Sequence, residues 1–144
     1  LDDMQPIGDD GITFQHSYFD FHPENDVLMF MAEVGPLPFE WCDVYDDECF
    51  INSQISVATV GDLTFLSTPG ESFPAFSERA KDIRKEAGCE TPLTLGLAND
   101  WMGYLMVEEQ WLDESLSYHM SLSPGSLIEP AFMAKLLEMV TPAE

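Results

Sequence analysis

Positive charge is scarce in this chain. Its 144 residues hold 5 Lys+Arg against 27 Asp+Glu, a formal net charge of -22 at pH 7. A surface of that sign repels phosphate backbones and anionic lipid headgroups, which argues against nucleic-acid binding and against electrostatic docking on membranes. Its companions are cations: metals, basic partners, or the salt of a halophilic setting. Long apolar runs are also missing. The longest, Val27–Ala32, has six residues, far below the roughly 18–20 that a membrane-spanning helix needs. The chain opens Leu1-Asp2-Asp3 with no basic n-region and no h-region, so no signal peptide is visible, and a start without Met reads as a processed or excised piece. Cysteine is sparse and odd in number. Cys42, Cys49 and Cys89 leave at least one thiol free or paired outside the chain. Cys42 and Cys49 flank the acidic run Asp43–Glu48, and either close a small loop disulfide in an exported protein or remain free thiols. Their spacing, with no nearby His, is a poor zinc pattern.

Several chemistries lack their motifs. There is no Gly-x-Ser-x-Gly elbow, no phosphate-binding Gly-Lys-Ser/Thr loop, no Gly-x-Gly-x-x-Gly and no His-Glu-x-x-His. His16, His22 and His119 are widely spaced and read as ordinary surface or core histidines. The carboxylates of Asp43–Glu48 could offer some of the six to eight oxygens calcium takes, but the run lacks the glycine and spacing of an EF-hand and reads as a solvated loop.

What is present is the material of a packed core. Hydrophobic residues make up 45% and aromatics 12% of the sequence, which rules out a disordered composition. The alternation in Gly11–Phe19 predicts a strand, and the apolar run Val27–Val34, bounded by Asp26 and Gly35-Pro36, predicts a buried one. Residues 35–50 read as a loop. Ile51–Val60 alternates, Gly61-Asp62 turns, and Leu63–Leu66 returns, which predicts a β-hairpin. A helix from Phe76 or Ser77 to Ala87 follows, with Phe76, Ala80, Ile83 and Ala87 on one face and Gly88 closing it. Thr91–Leu97 predicts another strand, Trp101–Val107 a short apolar piece, and Glu108–Tyr118 a helical or irregular stretch. Ser126-x-x-Glu129 has the form of a capping box before a last helix carrying Ile128, Phe132, Leu136 and Val140. The expected fold is mixed α/β: a mixed sheet with a hairpin, a strand–helix–strand crossover and flanking helices. Residues 1–144 read as one domain or domain fragment, with an acidic, loop-rich segment over 1–50.

Two positions stand out. Glu71 follows Pro69-Gly70 at a strand end. Asn99, Asp100, Trp101 and Tyr104 follow the end of the next strand. In α/β sheets ligands collect at the carboxyl ends of strands. Parallel, adjacent strands would put Glu71 and Tyr104 on one rim, where a carboxylate binds a hard or borderline metal and a phenol ligates once the metal lowers its pKa. The plainer alternative is a turn beside a packed aromatic cluster.

The same segments carry a family resemblance. Val57–Glu71, which runs strand, turn, strand, Pro-Gly-Glu, resembles the corresponding segment of the neutral/alkaline (non-lysosomal) ceramidases. Gly96–Tyr104 is similar to that family's Gly-Leu-x-Asn-x-Tyr-x-x-Tyr stretch, with Trp101 in place of the first Tyr. Glu108-Glu109 resembles the acidic pair that follows, and Tyr118 with Ser123-Pro124-Gly125 resembles the later Tyr and Gly-Pro region. The resemblance covers about residues 51–140 and implies the C-terminal part of a larger α/β catalytic domain.

That family cleaves the N-acyl amide bond of ceramide with a zinc ion held by two His, one Glu and one Tyr. The resemblance therefore implies Zn2+, with Glu71 as the carboxylate ligand, Tyr104 as the phenolate ligand and Tyr118 as the tyrosine that hydrogen-bonds the oxyanion. Arg79 matches one arginine of the family's Arg-Arg pair, and Glu78 stands in place of the other. The family's His ligands and serine nucleophile lie upstream of the Pro-Gly-Glu segment, and nothing in residues 1–50 resembles them. The implied partners are a ceramide-like lipid amide and an upstream segment or second chain that completes the site. The resemblance also implies a secreted, periplasmic or cell-surface location. Two other readings stand beside this one: a non-catalytic acidic module that meets cations or a basic partner, and an unrelated acidic α/β domain adapted to salt.

Overall fold

Alternation writes the first strand. Residues 11–34, 43–45 and 48–141 are described by the computed structural model of the chain. Strand β1 (Ile12–Phe21) buries Phe19 and Phe21 on one side and exposes Ile12, Phe14 and Tyr18 on the other. Helix α1 (Asp26–Glu33) and strand β2 (Asp43–Tyr45) follow, then the long strand β3 (Glu48–Val60) and its return β4 (Leu63–Ser67). The hairpin turns at Gly61-Asp62, where Gly61 takes φ +56°, a conformation glycine adopts at no steric cost. Next come β5 (Glu71–Ser72), α2 (Pro74–Glu86), β6 (Thr91–Leu95) and β7 (Tyr104–Leu105). Two 3-10 turns at Glu108–Leu112 and Glu114–Leu116, α3 (Ser117–Ser121) and α4 (Ile128–Val140) complete the order.

The main sheet runs β1-β3-β4-β6, with β2 also on β3. β1 and β3 pair antiparallel from Ile12 opposite Val60 to Phe21 opposite Ile51, and β3 and β4 pair antiparallel through the hairpin. β4 and β6 are parallel and adjacent, joined by α2 as the crossover. The expected mixed α/β architecture is the one observed.

Helices α2 and α4 pack together, α2 on β6 and α4 on β1, and so cover one face of the sheet. Ile55, Leu66, Phe76, Ala80, Phe132 and Leu136 are fully excluded from water there. Phe132 meets Phe76 at 5.2 Å and Phe19 edge-on at 5.6 Å between ring centroids, arrangements that add to the gain from burial. Arg84, 1% exposed, lies beneath the parallel pair, and its guanidinium donates to the carbonyls of Leu93 and Thr64. Burial holds its pKa below the ordinary arginine value. Helix α2 starts at Pro74, in the first turn where a missing N–H costs least, and Gly88 at φ +92° closes it.

Three expectations are corrected. Val27–Val34 is not a buried strand: it lies in α1 and its end. Asn25 caps that helix, its Oδ1 accepting from the Val27 and Leu28 amides at 3.1 Å each. Leu28 is buried while Val27 and Phe30 are exposed, a one-sided burial that a short apolar run cannot reveal. The loop expected over 35–50 contains β2 and the start of β3, paired with each other. The capping box at Ser126 and Glu129 is not formed. The Ser126 amide and hydroxyl both donate to Glu24, at 2.6 and 2.8 Å, and Glu129 is taken by Arg79. Cys42, and with it the pairing of Cys42 with Cys49, lies outside the described residues, as do the side chains of the acidic run.

Candidate active site

The site begins where β4 ends. Thr68, fully buried, donates its amide to the Leu95 carbonyl at 2.9 Å, locking the turn to the end of β6. Pro69 accepts from the Met102 amide at 2.7 Å and Gly70 from the Leu97 amide at 3.0 Å. The chain then pairs again as a second, two-stranded parallel sheet, with Glu71 directly opposite Tyr104 and Ser72 opposite Leu105. Two glycines permit this pairing. A Cβ on Gly70 would lie 2.5 Å from the Gly103 carbonyl oxygen, and one on Gly103, itself at φ +76°, would collide with the Leu122 carbonyl. The Glu71 amide donates to the Gly103 carbonyl at 2.8 Å, and the Tyr104 amide to the Leu122 carbonyl at 3.2 Å. Strand alternation sends Leu105 into the core and leaves Tyr104 half-buried at the rim.

Around Tyr104 an aromatic group assembles. Tyr118 and His119, on α3, place their rings 6.3 and 4.7 Å from it, and His119 also meets Phe73 edge-on at 5.1 Å. Tyr118 is 62% exposed. Removal from water raises the Tyr104 pKa above the ordinary tyrosine value, and the Glu71 carboxylate and the Tyr118 side chain push it the same way. Tyr104 thus keeps its proton at neutral pH unless a cation joins the pair, which would reverse the push. The structure brings the three sequence-predicted residues to one rim, with Glu71 paired to Tyr104 and the Tyr118 ring near it.

His119 read as an ordinary histidine in the sequence, yet it packs at the centre of this cluster. Its one available signal was adjacency to Tyr118. Its Nδ1 is buried without a hydrogen-bond partner. Arg79 stands apart, holding Glu129 at 2.8 Å and both Glu109 oxygens at 3.1 Å, and so ties α2 to α4 and to the turn after β7. Asn99 and Asp100 serve as struts: Asn99 donates to Ser56 and Ser67, and Asp100 accepts from Ser53. Asn99 at φ +78° and Leu97 at φ +53° mark a strained loop.

Zinc sites use three or four protein ligands. Glu71 and Tyr104 fit as two oxygen donors, and among the described residues no group of three or more His, Cys, Asp or Glu could hold a metal. His16 sits between the rings of Phe14 and Tyr18 on β1, and His22 lies against Phe50. Among the described residues no helix is long and apolar enough to cross a membrane.

No protein-family model matches the chain, and no curated protein matches it in sequence. Solved structures do. A ceramidase complexed with C2 superposes with a TM-score of 0.52 at 17% identity, covering 74% of this chain and 16% of that one. Neutral ceramidase from Pseudomonas aeruginosa superposes with a TM-score of 0.51 at 17% identity, covering 85% of this chain and 21% of that one. The chain thus spans about a fifth or less of their length, and the likeness is one of fold. The resemblance read from the motifs points to the same group of proteins.

Proposed function

We propose that this chain is one part of a ceramidase-like, zinc-dependent hydrolase that cleaves the N-acyl amide bond of a ceramide-like lipid. One observation carries the reading: the two segments that resemble ceramidase motifs pair strand to strand, so that Glu71 lies opposite Tyr104, within a fold like that of ceramidases. Glu71 and Tyr104 would hold the metal. Bound zinc supplies Lewis-acid polarisation of the amide carbonyl. Tyr118, exposed beside Tyr104, would donate its hydroxyl to the oxygen on which negative charge develops. The His ligands and the nucleophile come from upstream polypeptide or a second chain.

Elemental analysis of chelator-free protein, wild type and Glu71→Ala, tests the ligand assignment. Near-stoichiometric zinc in the wild type, lost in the variant, is expected once the upstream polypeptide is supplied, together with release of fatty acid from an N-acyl lipid. Zinc that persists in Glu71→Ala would sink the assignment. A second reading, a non-catalytic acidic module, is favoured by the absence, among the described residues, of any group of three or more His, Cys, Asp or Glu that could hold a metal. It predicts neither zinc nor hydrolysis in the completed protein.

A further inference from the structure

The sheet has two faces, and the helices cover one. On the other, β1 presents Ile12, Phe14 and Tyr18, exposed by 77%, 64% and 55%. β6 presents Leu93 and Leu95, with Phe65 of β4 between them in register with Leu93. The registers put Gln54, Ser56, Ala58 and Val60 of β3 on this same side. None of the strand positions facing this way from Ile12 to Tyr18, Gln54 to Val60, Leu63 to Ser67 and Thr91 to Leu95 is Asp, Glu, Lys or Arg. In a chain of net charge -22 that is a sharp segregation. The acidic residues return only at the border, with Asp20, Asp62 and Glu90 all exposed.

We propose that this face seats a second protein layer: a sheet with an apolar, uncharged inner side and a basic border, contributed by the polypeptide that completes the hydrolase. This rests on the reading of the chain as one part of a larger enzyme, whose fold it spans only in small part. A sheet face with side chains in period-two rows suits a second sheet stacked about 10 Å away. A second copy of this chain would bring another -22 to the same border. Anionic lipid meets the same repulsion. The seat is continuous with the candidate site. Asn99 bonds Ser56 and Ser67 at the end of this face, and β4 runs from Ser67 through the Pro69-Gly70 turn to Glu71. A layer seated here ends beside Glu71 and Tyr104, where the absent ligands are needed.

Hydroxyl-radical footprinting read by mass spectrometry tests it on the 144-residue chain and on the longest natural polypeptide that contains it. In the isolated chain Ile12, Phe14 and Leu95 should oxidise nearly as fast as Leu112, which is 88% exposed. In the longer polypeptide they should fall to the rate of buried Ile55, with Leu112 unchanged. Equal rates in both samples overturn the proposal, as does a natural polypeptide that ends with these residues and leaves the face reactive. Protection of the isolated chain that disappears on dilution to monomer assigns the face to a second copy, and protection by zwitterionic vesicles assigns it to lipid; either overturns it. Zinc analysis of the longer polypeptide reads the active-site proposal separately. Protection without zinc would sink the catalytic reading alone, and zinc without protection would sink this one alone.

Discussion

Glu71 and Tyr104 are fixed by backbone, whereas Tyr118 and His119 are fixed by packing. The first pair sits in a parallel ladder clamped by Gly70 and Gly103, with the carbonyls of Pro69, Gly70 and Gly103 each accepting a backbone amide. The second pair rides on the five-residue helix α3, and its side chains meet Tyr104 ring against ring. Hydrogen-bonded backbone cannot shift without leaving buried polar groups unpaired, so the first half of the site is rigid. Aromatic contacts at an exposed rim adjust cheaply. A site built this way holds its proposed ligands firmly and lets the proposed hydrogen-bond donor adapt to what enters.

The largest test of that contrast is Gly103→Ala. Its Cβ meets the Leu122 carbonyl at a positive φ, so β7 and the end of α3 must move apart, and a loss of about 3 kcal/mol is expected in denaturant unfolding. A loss no larger than that of a surface substitution would show that the clamp is not needed. Next comes Arg79→Met. It strands Glu129, whose side chain is 8% exposed, while the contact with exposed Glu109 is screened by water. A loss of about 1–2 kcal/mol is expected, checked by thermal unfolding at low and high salt.

Charge coupling within the rigid half is tested by Glu71→Gln. Removing the carboxylate should lower the Tyr104 pKa toward its ordinary value of 10.0, read by ultraviolet titration with Tyr104→Phe as the control. The sign for stability follows. A tyrosine whose pKa is raised by folding stabilises the fold below the unfolded pKa, and that contribution is lost as pH rises through the folded value. Wild type should therefore lose stability more steeply above pH 10.0 than Glu71→Gln. An unchanged Tyr104 titration would mean the paired residues do not sense each other. The smallest effect belongs to Tyr118→Phe: because Tyr118 is 62% exposed, the change in unfolding free energy should stay within about 0.5 kcal/mol. A larger change would make the adaptable half as structural as the rigid one.

How much of this was legible in the sequence varies with range. The hairpin at Gly61-Asp62 and the crossover helix before Gly88 are local patterns, and both formed as read. Val27–Val34 was misread because helix and buried strand share the same short apolar run, and the deciding bonds come from Asn25, just outside it. Ser126 and Glu129 were misread because distant partners, Glu24 and Arg79, outcompete a local cap. Glu71 and Tyr104 were legible as strand-end residues flanked by glycine. His119 was not, since adjacency to Tyr118 alone does not distinguish a clustered histidine from a surface one.

By itself the sequence determined the acidity, the strand periodicities, the turn glycines and the residue types a metal could use, because each is a property of neighbours along the chain. Only the tertiary structure decided that β5 and β7 pair so that Glu71 faces Tyr104, that His119 joins them, and that one side of the sheet exposes Ile12, Phe14, Tyr18, Leu93 and Leu95. Those outcomes depend on which distant segments meet and in what register, and a register shifted by one residue would send a strand's side chains to the opposite face.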